Sequence, residues 1–218
     1  MRMAAIYARV SSAQQREAHT IASQTAALVE WARTLDLRVD DGRNHLLLSG
    51  RRYDVITADI ILPRHAGAGS LYSADYFQLV RNALGDGGLA LQWVSPDTEA
   101  EYGLIVRTFL SVFPHTTLWG DGSLMVGSKE PLRISRAAFE RKRQDLETRD
   151  VLALMGIDSF ERLLSLFVAG PEELRRHVGE GPILTDDQPV IEYFLSMPEG
   201  RPVDLGNLSG DVGRHVVP

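Results

Sequence analysis

Two acidic residues occupy positions in which a carboxylate could do chemistry. Asp41 opens the polar turn Asp41-Gly42-Arg43, and Asp59 ends the apolar run 53–59. This run has the length and composition of a buried strand. In open α/β sheets, ligands bind beyond the carboxyl ends of the strands. Asp59, together with Asp41 before it, is therefore the first candidate for a functional site.

The segments around these carboxylates alternate between strand and helix patterns. We predict a helix over about 44–49, a strand over 54–59, a helix over 74–84, a strand over 89–94 and a helix over about 98–112. Such alternation is typical of βαβ units with parallel strands. Short strands are predicted at 4–7 and 37–39, with a helix between them over about 21–35.

The rest of the chain predicts the end of a sheet followed by helices. Strands over 115–119 and 123–126 flank Gly120-Asp121-Gly122, which is a strong hairpin signal. Helices follow at about 136–147, 159–168 and 171–177, and the tail after Pro198 is expected to be poorly ordered. The predicted fold class is α/β. We expect a partial doubly wound, Rossmann-type sheet, mostly parallel with an antiparallel hairpin at the end, plus C-terminal helices.

The composition excludes several classes of function. The 218 residues carry a net charge of -6, which argues against broad non-specific nucleic-acid binding. There is no cysteine, which excludes disulfides and thiolate metal sites, and the six histidines are too scattered to predict a metal site. No apolar run has the length of a membrane helix and no secretory signal is present. We expect a cytoplasmic protein.

The first 39 residues resemble the N-terminus of the serine recombinases of the resolvase/invertase type. The resemblance is carried by Ala5-Ile6-Tyr7-Ala8-Arg9-Val10-Ser11-Ser12, Gln14-Gln15 and Thr20-Ile21-Ala22-Ser23-Gln24. It implies that Ser11 is the nucleophile that attacks a DNA phosphate, and that Arg9 helps to hold that phosphate. The further cations that such a site needs have no matching segment here, so we expect this nucleophile to be vestigial.

From about residue 40 to 198 the chain resembles the spermidine synthase family (polyamine aminopropyltransferases), in the bacterial branch often fused to a transporter-like domain. The residues that carry the resemblance are Asp41-Gly42-Arg43, Arg52-Tyr53-Asp54-Val55-Ile56, Asp59, Gly67 to Ser73, Tyr76-Phe77, Gly87-Gly88-Leu89, Gln92-Trp93, Arg107-Thr108-Phe109, Phe113-Pro114, Thr185 to Pro189 and Glu192-Tyr193-Phe194. It implies a fold of methyltransferase type that binds decarboxylated S-adenosylmethionine and a polyamine acceptor such as putrescine.

The resemblance also implies roles for individual residues. Asp41, with Gly42, would bind the adenosyl co-substrate. Asp59 would orient and deprotonate the attacking amine, a task suited to a carboxylate. Tyr72 would line the substrate channel. Apart from the resemblance, His65 in the Gly/Pro loop is a candidate for substrate contact. Three of these residues have a plainer reading: Asp41 as a helix N-cap, Asp59 as a loop cap, and His65 as an exposed loop residue.

Two departures from the family pattern change what we expect. Leu62 stands where the family has its second aspartate, and the strand-to-helix connection at 9–14 contains no glycine for close approach to a nucleoside. We therefore predict three segments: a recombinase-like fragment (1–39), an N-terminally truncated synthase-like domain (40–198) and a flexible tail (199–218). The leading hypothesis is an aminopropyltransferase-like protein with weak or lost activity. The alternatives are a DNA-binding or strand-exchange fragment and a non-catalytic interaction domain. A homodimer is possible on this resemblance.

Overall fold

The computed structural model describes residues 5–6, 38–39, 41–59, 63, 67–95, 98–193 and 200–217. In chain order the elements are β1 (Ala5–Ile6), β2 (Arg38–Val39), α1 (Gly42–Leu48), β3 (Tyr53–Ala58), α2 (Ala74–Ala83), β4 (Leu84–Trp93), α3 (Glu99–Val112), β5 (Thr117–Trp119), β6 (Leu124–Ser128), β7 (Ile134–Ser135), α4 (Arg136–Arg143), α5 (Leu146–Leu154), α6 (Phe160–Leu164), β8 (Phe167–Ala169), α7 (Pro171–Val178) and β9 (Val216–Val217). Short 3-10 turns lie at Gly69–Leu71, Val190–Glu192 and Val212–His215.

The central sheet has the order β3-β4-β6-β5-β8. β3 and β4 pair in parallel, whereas β6 is antiparallel to both β4 and β5, and β8 is antiparallel to β5. Three of the five strands (β3, β4 and β5) consequently run in one direction. The α/β class, the parallel βαβ unit and the hairpin between β5 and β6 are confirmed. The hairpin does not close the sheet, because β8 adds a further strand beside β5.

Local capping explains where several helices begin. The Asp41 carboxylate accepts a hydrogen bond from the Asn44 N–H at 2.9 Å, and the Ser73 hydroxyl accepts one from the Tyr76 N–H at 3.1 Å. The prediction of one helix over 136–147 was wrong, since Asp145 caps a second helix at Leu146. The helix predicted over 159–168 ends at Leu164 and is followed by β8, a strand that the sequence analysis missed.

The core lies between the sheet and α2, α3 and α7. Phe77 meets Phe109 edge-on with ring centroids 4.9 Å apart, and Phe109 lies 4.9 Å from Phe113. The three rings are at most 1% exposed, so their apolar surface is almost entirely removed from water. A buried aromatic cluster of this kind contributes a large share of the hydrophobic stabilisation. It joins α2 to α3, and the rings of Phe109 and Phe113 lie against Gly127 of β6.

β3 and β4 bury one face more deeply than the other. Ala90 on β4 is 2% exposed and lies opposite Ile56 on β3, which packs against the core. Their neighbours on the opposite face are more open, since Val55 is 53% and Trp93 36% exposed. Trp119 on β5 is buried, at 9% exposed.

The segment after Pro198 differs from its expected poor order wherever it is described. The Glu99 N–H donates to the Arg201 carbonyl at 2.8 Å, and the Gly210 N–H donates to the Val168 carbonyl at 2.8 Å. β9 pairs in parallel with β7. Backbone pairing with distant elements gives this Gly- and Pro-containing segment a defined path without any periodic pattern of its own.

β1 and β2 pair in parallel with each other, in agreement with the two short strands predicted near residues 5 and 38. The helix predicted over 21–35 lies outside the described residues. Within the part of the chain that the structure describes, no helix is both long and apolar enough to cross a membrane.

Candidate functional site

Asp59 follows directly after the carboxyl end of β3 and is exposed. Parallel pairing brings the end of β4 alongside, with Ala58 opposite Gln92. Gln92 is 3% exposed, and its side-chain amide donates to the Trp93 carbonyl at 2.9 Å. The Asp59 carboxylate therefore lies at the carboxyl ends of the parallel strands, where an α/β fold binds its ligands.

Asp41 and Gly42 lie at the start of α1. Asp41 is exposed, and its carboxylate caps the helix through the Asn44 N–H, which matches the plainer reading of this residue. α1 is connected to β3 by a hydrogen bond of 2.6 Å between the His45 Nε2 and the Tyr53 hydroxyl. The Asp41 end of α1 and the strand that leads to Asp59 are thereby linked in one local unit.

The other predicted site residues are not gathered with Asp59 in the described structure. Tyr72 is 1% exposed and belongs to the hydrophobic core. Its burial is that of a packing residue. His65, Ser11 and Arg9 lie outside the described residues, as does Leu62. Their proposed roles stay predictions from the sequence.

A polar network centred on Asp186 was missed by the sequence analysis, which named this residue only as part of the motif Thr185 to Pro189. The Arg43 guanidinium forms an ion pair with the Asp186 carboxylate and also donates to the Ser70 carbonyl. The Ser73 hydroxyl donates to Asp186 at 2.6 Å, and the Asp186 N–H donates to the Asp75 carboxylate at 2.9 Å. Asp186 thus joins the Asp-Gly-Arg turn, the start of α2 and the C-terminal segment.

The network shifts the titration of its central carboxyl group. Partial burial would raise the pKa of Asp186, but hydrogen bonds from Arg43 and Ser73 and the charge of Arg43 outweigh burial and hold that pKa below its usual range. Asp186 is consequently a carboxylate at neutral pH and a permanent partner for Arg43. Arg43 and Asp186 belong to two motifs that the sequence analysis assigned to the same family resemblance. Their shared assignment is the signal that could have predicted the contact.

A second contact joins the same two segments. The Gly69 N–H donates to the Glu192 carboxylate at 2.9 Å, and the Ala74 N–H donates to the Leu184 carbonyl at 2.8 Å. A Cβ atom on Gly69 would lie 2.9 Å from the Glu192 side chain, so a larger residue there would require that side chain to shift. The loop between β3 and α2 is therefore held over 67–74 by residues 184–192.

The Asp59 carboxylate beyond β3 can both bind a cationic group and accept a proton. An exposed aspartate can accept hydrogen bonds from an ammonium group and can take a proton from it. Over the described ranges no group of three or more histidine, aspartate or glutamate side chains is placed to hold a metal ion. Fold and site together define a partial Rossmann-type α/β domain with a carboxylate at the carboxyl edge of its sheet.

Comparison with known proteins finds similarity to one group of enzymes over part of the chain. No family model matches the chain. It is similar to a polyamine aminopropyltransferase from Aeropyrum pernix, with 35% identity over 86 residues, which cover 38% of this chain and 27% of the relative. It is also similar to polyamine aminopropyltransferase 2 from Hyperthermus butylicus, with 32% identity over 100 residues, which cover 39% of this chain and 33% of the relative. The matches thus span a third or less of each relative.

These similarities support the spermidine synthase-like part of the sequence analysis. They give no support to the recombinase resemblance of residues 1–39, or to a fusion between two proteins. That part remains a prediction from the sequence.

Proposed function

We propose that the chain is an aminopropyltransferase-like protein in which Asp59 orients and deprotonates the acceptor amine. The observation that carries this proposal is the exposed position of Asp59, directly after β3 and beside the end of β4. The partial similarity to two polyamine aminopropyltransferases supports the same reaction class. The acceptor would be a polyamine such as putrescine, which carries the positive charges that a carboxylate attracts.

The proposed reaction transfers an aminopropyl group from decarboxylated S-adenosylmethionine. The lone pair of the neutral amine attacks the propyl carbon bonded to the sulfonium sulfur. A carbon–nitrogen bond forms, the carbon–sulfur bond breaks, and its electron pair returns to sulfur to leave a neutral thioether. The proton released from nitrogen passes to the Asp59 carboxylate, which also keeps the amine in line for attack.

The proposed site has fewer available contacts for the adenosyl co-substrate than for the amine. Asp41 and Gly42 are the proposed contacts, but the Asp41 carboxylate already accepts the Asn44 N–H. Residues 1–40 contain no glycine. Close approach of the backbone to a nucleotide at a first strand-to-helix turn normally uses glycine. We therefore propose weak co-substrate binding and a slow reaction, with Tyr72 supporting the loop from the core and His65 left as a contact predicted from sequence.

Mass-spectrometric detection of spermidine tests this proposal. The purified chain is incubated with putrescine and decarboxylated S-adenosylmethionine. Asp59→Asn should lower the rate roughly a hundredfold or more, the usual contribution of a general base. Asp54→Asn is the matched control, because Asp54 is exposed on β3 and the change of charge is the same.

Two results would refute the proposal. One is that the wild-type chain forms no spermidine at any co-substrate concentration. The other is that both aspartate variants lose the same activity. Calorimetric titration with decarboxylated S-adenosylmethionine separates the causes of an inactive chain. Micromolar binding of this co-substrate without turnover would show that binding or activation of the amine is what fails. A homodimer remains an expectation that sedimentation of the same sample can check.

A further inference from the structure

A cavity of about 380 Å³ lies beside the first turns of α3. The charged side chains that line it are Glu99, Arg107, His177 and Arg201. Neither Asp41 nor Asp59 is among the lining residues. Its volume falls in the lower part of the range for small-molecule sites. The cavity is therefore a separate feature, with its own set of charges.

One wall of the cavity is built by the segment 200–203. This segment is attached to the start of α3 through the hydrogen bond from the Glu99 N–H to the Arg201 carbonyl and an antiparallel bridge between Thr98 and Pro202. Gly200 packs so closely that a Cβ atom there would lie 2.5 Å from the Thr98 Cβ. The wall is thus held by backbone contacts, and Arg201 is an exposed residue that lines the cavity.

Arg107 forms the opposite part of the cavity in a fixed orientation. Its Nε donates to the Pro182 carbonyl at 3.2 Å, and its Nη1 donates to the Val178 carbonyl at 2.8 Å. Cβ atoms on Gly103 and Gly181 would lie 3.1 Å and 3.0 Å from the guanidinium, so glycine at both positions makes room for it. Burial lowers the pKa of Arg107, yet a guanidinium stays charged near neutral pH.

Several charged groups around the cavity have no ion-pair or hydrogen-bond partner within the described part of the chain. Arg107 Nη2 and the side chains of Arg201, His177 and Glu99 make no ion pair or hydrogen bond with other described residues. The first turn of α3 carries a second carboxylate, Glu101, which is 6% exposed, does not line the cavity and accepts a hydrogen bond from the Thr98 hydroxyl at 3.5 Å. Among the side chains that line the cavity, the guanidinium groups of Arg107 and Arg201 outnumber the single carboxylate of Glu99.

We propose that this cavity binds a small anion through a carboxylate or phosphate group held by Arg107 and Arg201. Guanidinium groups match the geometry of both kinds of oxyanion. The Glu99 carboxylate can accept a hydrogen bond from a hydroxyl or ammonium group of the same ligand. The site goes beyond the proposed transferase function and does not depend on it.

Calorimetric titration at low ionic strength tests the site, with citrate and inorganic phosphate as separate probes. At least one probe should bind saturably in a 1:1 complex. Arg201→Gln should weaken that binding roughly tenfold or more, as expected for a charge-assisted hydrogen bond. The control is Arg141→Gln, an exposed position outside the cavity with the same change of net charge.

Each outcome of the titration decides the proposal. Binding of citrate alone assigns a carboxylate ligand, binding of phosphate alone assigns a phosphate ligand, and binding of both supports the shared oxyanion chemistry. Absence of saturable binding by both probes overturns it, as does equal weakening in the two variants. Arg107→Gln should weaken binding as well, with its thermal midpoint measured in parallel because Arg107 also holds the end of α7. No step uses enzymatic activity, so failure here is distinguishable from failure of the transferase proposal.

Discussion

Removal of the Asp186 carboxylate in Asp186→Ala should lower the free energy of unfolding by about 2 kcal/mol. The change breaks the ion pair with Arg43 and the 2.6 Å hydrogen bond from the Ser73 hydroxyl. The Asp186 side chain is 41% exposed and that of Arg43 is 24% exposed, so solvent screening limits the ion pair to about 0.5–1 kcal/mol. A hydrogen bond to a charged acceptor adds about 1.5 kcal/mol.

Urea denaturation of wild type, Asp186→Ala and Asp187→Ala measures this difference. Asp187 is the matched control, because it is adjacent and exposed and has no side-chain partner among the described residues. Its loss should stay within about 0.5 kcal/mol. For a chain of this length, 2 kcal/mol corresponds to a fall of roughly 4–8 °C in the thermal midpoint. In a double-mutant cycle, Arg43→Met and Asp186→Ala should couple by about 0.5–1 kcal/mol.

The same variant makes a prediction about pH. The pKa of Asp186 is lowered in the folded protein, because its hydrogen bonds from Arg43 and Ser73 outweigh the effect of burial. The stabilisation is then complete above the unfolded pKa of about 3.9 and is lost as the pH falls through the lower folded pKa. The difference between wild type and Asp186→Ala should therefore shrink as the pH falls below about 4. Equal losses in the two aspartate variants, or a difference that grows in acid, would refute this account of the network.

Three further substitutions have outcomes that the structure sets. Gly127→Ala places a Cβ atom 2.7 Å from a core phenylalanine and should cost about 1–3 kcal/mol in urea denaturation, whereas Gly85→Ala, with its nearest contact at 3.7 Å, should cost much less. Tyr102→Phe removes a buried hydroxyl and should cost about 1 kcal/mol at pH 7. Burial, followed by the charge of a nearby aspartate, raises the pKa of Tyr102, so wild type should lose stability above about pH 10 more steeply than the variant. Asp41→Ala should cost about 1 kcal/mol through loss of the helix cap, and Asp41→Asn, which keeps a capping oxygen, should restore most of it. A full loss in Asp41→Asn would argue that the charge of Asp41 has a role besides capping.

The elements that the sequence analysis located well are those with a strong local pattern. β3 and α2 agree with their predicted ranges to within one residue at each end, because apolar periodicity and the Ser73 cap are local signals. The prediction for β4 began at Leu89, but the strand starts at Leu84 with an irregular register around its glycines. β8 was missed because its three residues carry no alternation, and its pairing with β5 depends on distant chain.

For the candidate site as well, some features could be predicted from local sequence and others could not. The position of Asp59 after an apolar strand could be predicted, since strand ends are visible in the sequence. The Asp41 cap could also be anticipated from its place before a helix. The burial of Tyr72 could not, because a tyrosine after a loop is equally compatible with an exposed or a packed position, and packing against α2 and its neighbours decided it.

By itself, the sequence determined the α/β class, the order of strands and helices from α1 to β6 and the carboxylate that follows β3, because each depends on patterns within a few residues of one another. Only the tertiary structure decided that Arg43 meets Asp186, 143 residues away, and that Glu192 reaches Gly69 across 123 residues. It also decided that Arg107 and Arg201 line one cavity. The physical reason is that local propensities select each element separately, whereas burial of the shared core sets their positions relative to one another.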